Sequence, residues 1–209
     1  MMPKWRKAVL AAAVVIAALV TIAGALYLRY LRIPEGYVDP DTLPHETVEA
    51  RAREFTALAA QLASLRSDEA FNIAVPEEAV NAYIATTLAR TGAAWYKEWR
   101  IPENVEHLQV RFRPKTIVLL GRLNRGWASC ILSADLTPTL TTEGDLSVRV
   151  GEGRGGRLAL PAALLGRFLQ RLPDRTLSIR VGRGRRGRLT EVSVENGQIR
   201  LIGVPTGGS

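Results

Sequence analysis

The stretch "AVLAAAVVIAALVTIAGALYL", Ala8 to Leu28, holds 21 residues without a charged side chain. No other feature of the chain limits its fold as much. Wound as an α-helix it covers about 30 Å, the thickness of the hydrocarbon core of a bilayer. Lys4, Arg6 and Lys7 precede it. Basic residues favour the cytoplasmic side, so the expected arrangement is a single pass with the N-terminus in the cytoplasm. Arg29 and Arg32 flank the other end and weaken that bias, while Trp5, Tyr27 and Tyr30 suit the two interfaces. A cleaved signal peptide is the competing reading, because "AGA" at Ala23–Ala25 fits a small-residue cleavage site. The run exceeds the usual signal core of about 7–15 residues, so an uncleaved signal-anchor is the expectation. The chain then divides into a cytoplasmic tail (1–7), a transmembrane anchor (8–28), a stalk (29–44) and an extracytoplasmic α+β domain (45–209). That places the protein in the cell membrane, with its C-terminal domain in the cell envelope.

Charge is spread unevenly over the 209 residues. Residues 1–32 carry five Lys/Arg and no acid, residues 33–104 carry 12 Asp/Glu against 6 Lys/Arg, and residues 105–209 carry 17 Lys/Arg against 8 Asp/Glu. The net +8 therefore belongs to the C-terminal half and the extreme N-terminus. A basic half-domain points to an anionic partner: lipid headgroups, nucleic acid or an acidic protein. Cys130 is the single cysteine, so an intramolecular disulfide and every C-x-x-C motif are excluded. His45 and His107 stand in separate segments without ligand-like spacing, so no zinc site is expected, and no cofactor.

Past the prolines and glycine of "IPEGYVDPDTLP", which read as a stiff extended stalk, helical periodicity begins. Val48, Phe55, Leu58, Leu62 and Leu65 recur at three- and four-residue steps, with Ala52 in the gap, which predicts an amphipathic helix. "FNIAV" (Phe71–Val75) alternates as a strand. Pro76 opens a second helix, with Glu77 and Glu78 at the positive end of its dipole. Beyond Pro102 the pattern turns to strands: "HLQVRF", "TIVLLGRL", "WASCILSADLTPTL", "DLSVRVG" and "RLAL". A further helix from Pro161 to Leu172 follows, then "TLSIRV" and "LTEVSVENGQIRLIG", where Asn196-Gly197 marks a hairpin.

One phrase is written twice. "IAVPEEAVNAYI" (Ile73–Ile84) aligns without gaps on "LALPAALLGRFL" (Leu158–Leu169), and a hairpin follows each Pro-helix. The unit strand–Pro–helix–hairpin thus occurs at 71–123 and at 156–204. A diverged duplication and convergence on a common strand-to-helix junction both account for it. Either way, apolar helix stripes must meet one face of an alternating sheet. The expected fold is α+β, a curved and mostly antiparallel sheet packed on two or three helices. Such a sheet can leave an elongated apolar groove against the helices. Its candidate lining is Val80, Tyr83 and Ile84 from one Pro-helix and Leu165, Phe168 and Leu169 from the other.

The segments "FNIAVPEEAVNAYI", "VRFRPKTIVLLGRL", "GRLALPAALLGRFLQRL" and "VSVENGQIRLIGV" together resemble the YpmS-like bacterial proteins, which carry one N-terminal membrane helix. They are similar, more distantly, to the LmeA-like lipid-binding proteins. The resemblance covers about 130 residues, Phe71 to Val204. It implies a domain akin to tubular lipid-binding proteins, which hold acyl chains between helix and curved sheet. The arginine-rich loops and the Trp95–Trp99 cluster depart from that pattern.

Other motifs have plain readings beside sharper ones. "GEGRGG" (151–156) and "GRGRRG" (182–187) fit G-x-G-x-x-G, but neither opens a helix within a strand–helix–strand unit, so hairpin connections are expected in place of a dinucleotide site. Trp95, Tyr96 and Trp99 form either a core-edge cluster or a lip at a membrane surface. Arg180, Arg183, Arg185, Arg186 and Arg188 form either a solvated loop or a contact for anionic headgroups or an acidic partner. Nucleic acid is disfavoured for a domain outside the cytoplasm. There is no G-x-S-x-G elbow, Cys130 sits in an apolar strand pattern, and the carboxylates of "PEEAV" suit a helix dipole, so no enzyme is expected. Two functions stay open: binding of a lipid or other long apolar ligand, and service as a ligand-free scaffold or assembly partner in an envelope complex.

Overall fold

Alternation and hairpin signals account for most of the architecture in a computed structural model of the chain. Described are residues 4–34, 37–39, 42–64, 69–91, 105–125, 128–141, 146–160, 176–179 and 188–204; for 4–15, 88–91, 125, 128, 176–179 and 188 the description covers backbone only. The elements are α1 (Lys4–Leu31), α2 (His45–Ser64), β1 (Phe71–Pro76), α3 (Glu77–Thr91), β2 (Val105–Arg113), β3 (Thr116–Arg125), β4 (Ala128–Leu140), β5 (Leu146–Gly155), β6 (Leu158–Ala159), β7 (Thr176–Ile179), β8 (Arg188–Glu195) and β9 (Gln198–Val204). The fold is α+β, as expected.

The strands do not make one continuous sheet. They form two antiparallel sheets, β1-β9-β8 and β2-β3-β4-β5-β6, with β7 also paired to β5. Strand alternation sets which face each residue takes but does not choose its neighbours, which is why the sequence reading merged the two. The sheets meet at their hairpin tips. Lys115 N–H donates to Val194 O at 2.9 Å, and Gly197 N–H donates to Phe112 O at 3.1 Å. Each donor is the second residue of a two-residue turn, and each has positive φ, 64° at Lys115 and 78° at Gly197. Asn196 is not left-handed, so its turn has the φ pattern of type II, not of the type I′ usual for Asn-Gly.

The two hairpins are thus related by reciprocal bonds, yet their surroundings differ. β1 pairs with β9, whereas β6, the corresponding strand of the second unit, pairs with β5 and not with β3. The second Pro-helix, and with it the proposed equivalence of the two helices, lies outside the described residues.

The five-stranded path has two distinct faces. On one, Val105, Leu108, Leu123 and Cys130 form a buried cluster, joined by Ile84 of α3 and Tyr30 at the end of α1. On the other, Val118, Leu120 and Ile131 are buried beneath Tyr37. The chain from α1 therefore passes from one face to the other. It rounds the β5–β6 turn on the way. There Arg157 N–H donates to Arg29 O, a last-turn carbonyl of α1, at 3.1 Å. A side chain at Gly155 would strike Tyr30 Cε2 at 2.5 Å; one at Gly156, where φ is +58°, would strike the carbonyl oxygens of Arg29 and Arg32 at 2.7 and 2.8 Å. The end of "GEGRGG" is glycine because α1 abuts it. Gly151–Gly155 itself is strand, not a connection.

The segment expected to be an extended stalk turns twice, where Tyr37 N–H donates to Pro34 O at 3.3 Å and Thr42 N–H to Asp39 O at 3.0 Å, and its described part is fastened down. The Gln109 side chain, buried in β2, accepts from Val38 N–H and donates to Val38 O. Asp39 pairs with Arg122, whose guanidinium also lies 5.7 Å from the Tyr37 ring centroid. A buried amide needs partners for both its ends, and this strap supplies them.

Candidate functional site

The site is a cleft where α2, α3 and the strap meet the outer edge of β2. An edge strand presents unpaired backbone groups, which α3 closes with side chains. Asn81 Nδ2–H donates to Val110 O at 2.8 Å, and Asn81 Oδ1 accepts from Val110 N–H at 2.7 Å. One turn earlier, the Glu77 carboxylate accepts from Phe112 N–H at 2.5 Å. Phe112 O takes Gly197 N–H, so both polar groups of both residues are satisfied. Glu77 and Asn81 stand four apart, hence on one helix face. Glu77 N–H donates to Gly197 O at 2.9 Å, which pins the start of α3 to the β8–β9 turn.

Beside this seam α2 and α3 lie together but leave a gap. Ala79, Ala82 and Ala52 are buried, and small side chains bring the helices close without filling the space next to β2. The resulting cleft encloses about 340 Å³, with an apolar wall of Val38, Leu43, Val48, Ala82, Ala85 and Val110. Its size is at the low end of the roughly 300–1,000 Å³ usual for ligand pockets. Arg51 and Glu78 stand on its rim. The Glu54 carboxylate, hydrogen-bonded to Arg51 at 2.9 Å, raises that guanidinium's pKa above its ordinary value. The rim is therefore charged and the wall is not, an arrangement suited to holding an amphiphile by its chain.

The sequence-derived groove residues that are described, all on α3, have different surroundings. Ile84 packs into the buried cluster on the sheet. Tyr83 is exposed and stacks on Phe55 of α2, with ring centroids 4.6 Å apart. It lines a smaller hollow of about 290 Å³ with Ala52, Thr56 and Thr86. Val80 is half-buried, and Leu165, Phe168 and Leu169 lie outside the described residues. Of the basic run, Arg180, Arg183, Arg185 and Arg186 also lie outside them; Arg188 begins β8, its backbone opposite Val204. The cluster Trp95, Tyr96 and Trp99 is outside as well. Sequence reasoning missed Glu77, Asn81 and Gln109 as structural ties. The available signal was Asn81 in a helix interior, where its propensity is poor.

Cys130 is buried, as expected of a small core residue, with its Sγ 2.8 Å from the Tyr30 hydroxyl oxygen. No group of three or more metal-ligating side chains occurs among the described residues. No helix among the described residues is long and apolar enough to cross a membrane. The run Ala8–Leu28 falls within α1, whose side chains are described from Ile16 onward. No protein-family model, curated protein or solved structure matches this chain.

Proposed function

We propose that the chain is a single-pass, membrane-anchored domain of the cell envelope that binds a lipid or another long apolar molecule and catalyses no reaction. The observation that carries this reading is the apolar cleft between α2, α3 and the β2 edge. Its wall is built from alanine and branched side chains, and its polar neighbours Asn81, Gln109 and Glu77 are already committed to backbone groups. What remains in the cleft suits a hydrocarbon chain better than a polar substrate. The resemblance of its segments to lipid-binding envelope proteins points the same way.

The anchor rests on the uncharged run Ala8–Leu28. Ile16, Leu19, Val20, Ile22 and Leu28 are each more than half exposed on α1. Apolar side chains left exposed along a helix have a natural solvent in lipid. The N-terminal lysines and arginine orient it with the tail in the cytoplasm.

The test uses the full chain, extracted from its host membrane in a mild non-ionic detergent and analysed for co-purifying lipid by mass spectrometry. The wild type is expected to retain lipid. Ala85→Phe, which fills the cleft from its wall, is expected to lose most of it while keeping the unfolding transition. A wild-type protein that emerges without lipid favours the ligand-free scaffold instead.

A further inference from the structure

We infer that the opposite face of the sheet carries a second site, a cationic groove that takes the phosphate-bearing headgroup of an anionic membrane lipid. This rests on the membrane-anchor half of the reading above, not on the apolar cleft. The groove encloses about 740 Å³. Strand register builds it: Arg111, Val118 and Asp135 lie abreast on β2, β3 and β4, while Leu120, Ser133 and Arg154 lie abreast on β3, β4 and β5. Arg113 continues the β2 row, and Arg157 closes the end at the β5–β6 turn. Four arginines thus face two acids, Asp135 and Glu152. Arg154 reaches both acids, at 3.7 and 3.3 Å, so its own charge is spent on them, and the four arginines still exceed the two acids by two charges. Arg113 and Arg157 form no ion pair among the described residues. The floor between them is apolar, made of Val118 and Leu120, both buried.

Position selects the occupant. The turn that supplies Arg157 is the one whose N–H bonds Arg29 O at the end of α1, and Pro34, just past that helix, forms another wall of the groove. A groove whose wall touches the end of a membrane helix opens at the bilayer surface. Guanidinium forks match phosphate oxygens in geometry as well as in charge, and a concave apolar floor suits the glycerol and upper chain beneath a phosphate better than an acidic peptide.

The experiment is native mass spectrometry of the full chain in non-ionic detergent, titrated with phosphatidylglycerol or phosphatidylcholine of identical acyl chains. Phosphatidylglycerol is expected to bind roughly ten- to thirtyfold more tightly, the factor that two basic residues near an anionic headgroup confer. In Arg113→Gln/Arg157→Gln that advantage should fall to about twofold or less, with thermal unfolding unchanged. Ala85→Phe should keep it. Equal binding of the two lipids, or a preference that survives the double substitution, overturns the inference. So does displacement of the lipid by millimolar inorganic phosphate, which makes the groove a soluble-anion site, or tighter binding of a polyglutamate peptide, which makes it a protein-docking face. Extraction of the chain from membranes by alkaline carbonate without detergent is the separate result that removes the anchor itself.

Discussion

Asn81 and Val110 are joined by two hydrogen bonds, one in each direction, between a helix side chain and a strand backbone. The amide imitates a neighbouring strand at a point where the sheet has none. Asn81→Ala leaves a half-buried N–H and C=O without partners. The expected cost is about 1–3 kcal/mol, because losing one side of a buried pair incurs the desolvation penalty of the other. Asn81→Asp keeps the acceptor for Val110 N–H but sets a carboxylate against Val110 O, so it should be no better than alanine. Urea unfolding of the three proteins checks this; a change in stability below about 0.5 kcal/mol for both variants, the scale of ordinary surface substitutions, would show that water already serves this edge.

The glycine pair at the β5–β6 turn gives a prediction with an internal control. Gly156 and Gly197 both have positive φ, but only Gly156 is crowded, by the carbonyls at the end of α1. Gly197→Ala should cost about 1–2 kcal/mol, the left-handed penalty alone. Gly156→Ala must also push away backbone oxygens, so it should cost distinctly more and loosen α1 from the domain. Comparison of the two melting temperatures in detergent measures the difference. Equal losses would mean that α1 does not abut the turn.

Much of this fold was legible, and what was not has a physical pattern. Alternation located the hairpins β2–β3 and β8–β9, and three- and four-residue spacing located α2. Periodicity is a property of one element, however, and the split into two sheets is a property of pairs. The bulges where register shifts, between Glu106 and Gln109, between Ala134 and Leu136 and between Leu189 and Glu191, leave no mark in the alternation that a reader can weigh. Polar ties are harder still. Glu77 sits where a helix dipole already explains it, yet its carboxylate serves Phe112 N–H. Gln109 looks like a solvent-facing strand residue until the strap covers it. Gly155 and Gly156 read as flexible because nothing in the sequence shows that a helix end, more than a hundred residues earlier, rests on them.

Cys130 offers a probe of that docking. It is buried, and Tyr30, whose hydroxyl it meets, packs on its cluster. In the full chain it should react slowly with a thiol reagent such as a disulfide of thionitrobenzoate. Tyr30→Ala removes the ring from the cluster and should speed the reaction by about tenfold or more, since access then needs only local opening. Tyr30→Phe keeps the ring and should change it little. A Tyr30→Ala protein as slow as wild type would mean that α1 does not guard the cluster.

The reciprocal bonds of the two hairpin turns lead to a stabilising substitution. Lys115 and Gly197 hold the same place in their turns, donate in the same sense, and have φ of 64° and 78°. Lys115 nevertheless carries a side chain in a conformation that costs an ordinary residue about 1–2 kcal/mol. That side chain is exposed. Lys115→Gly relieves the strain, while the freer unfolded chain takes back about 0.4–1 kcal/mol. The net expectation is a gain of about 0.5–1 kcal/mol, read as a higher urea midpoint at unchanged slope. Lys115→Ala, which keeps the strained φ, should leave the midpoint nearly where it was. A Lys115→Gly protein less stable than wild type would mean that the turn is not held in the left-handed region, and that the bond from Lys115 N–H to Val194 O does not fix how the two sheets meet.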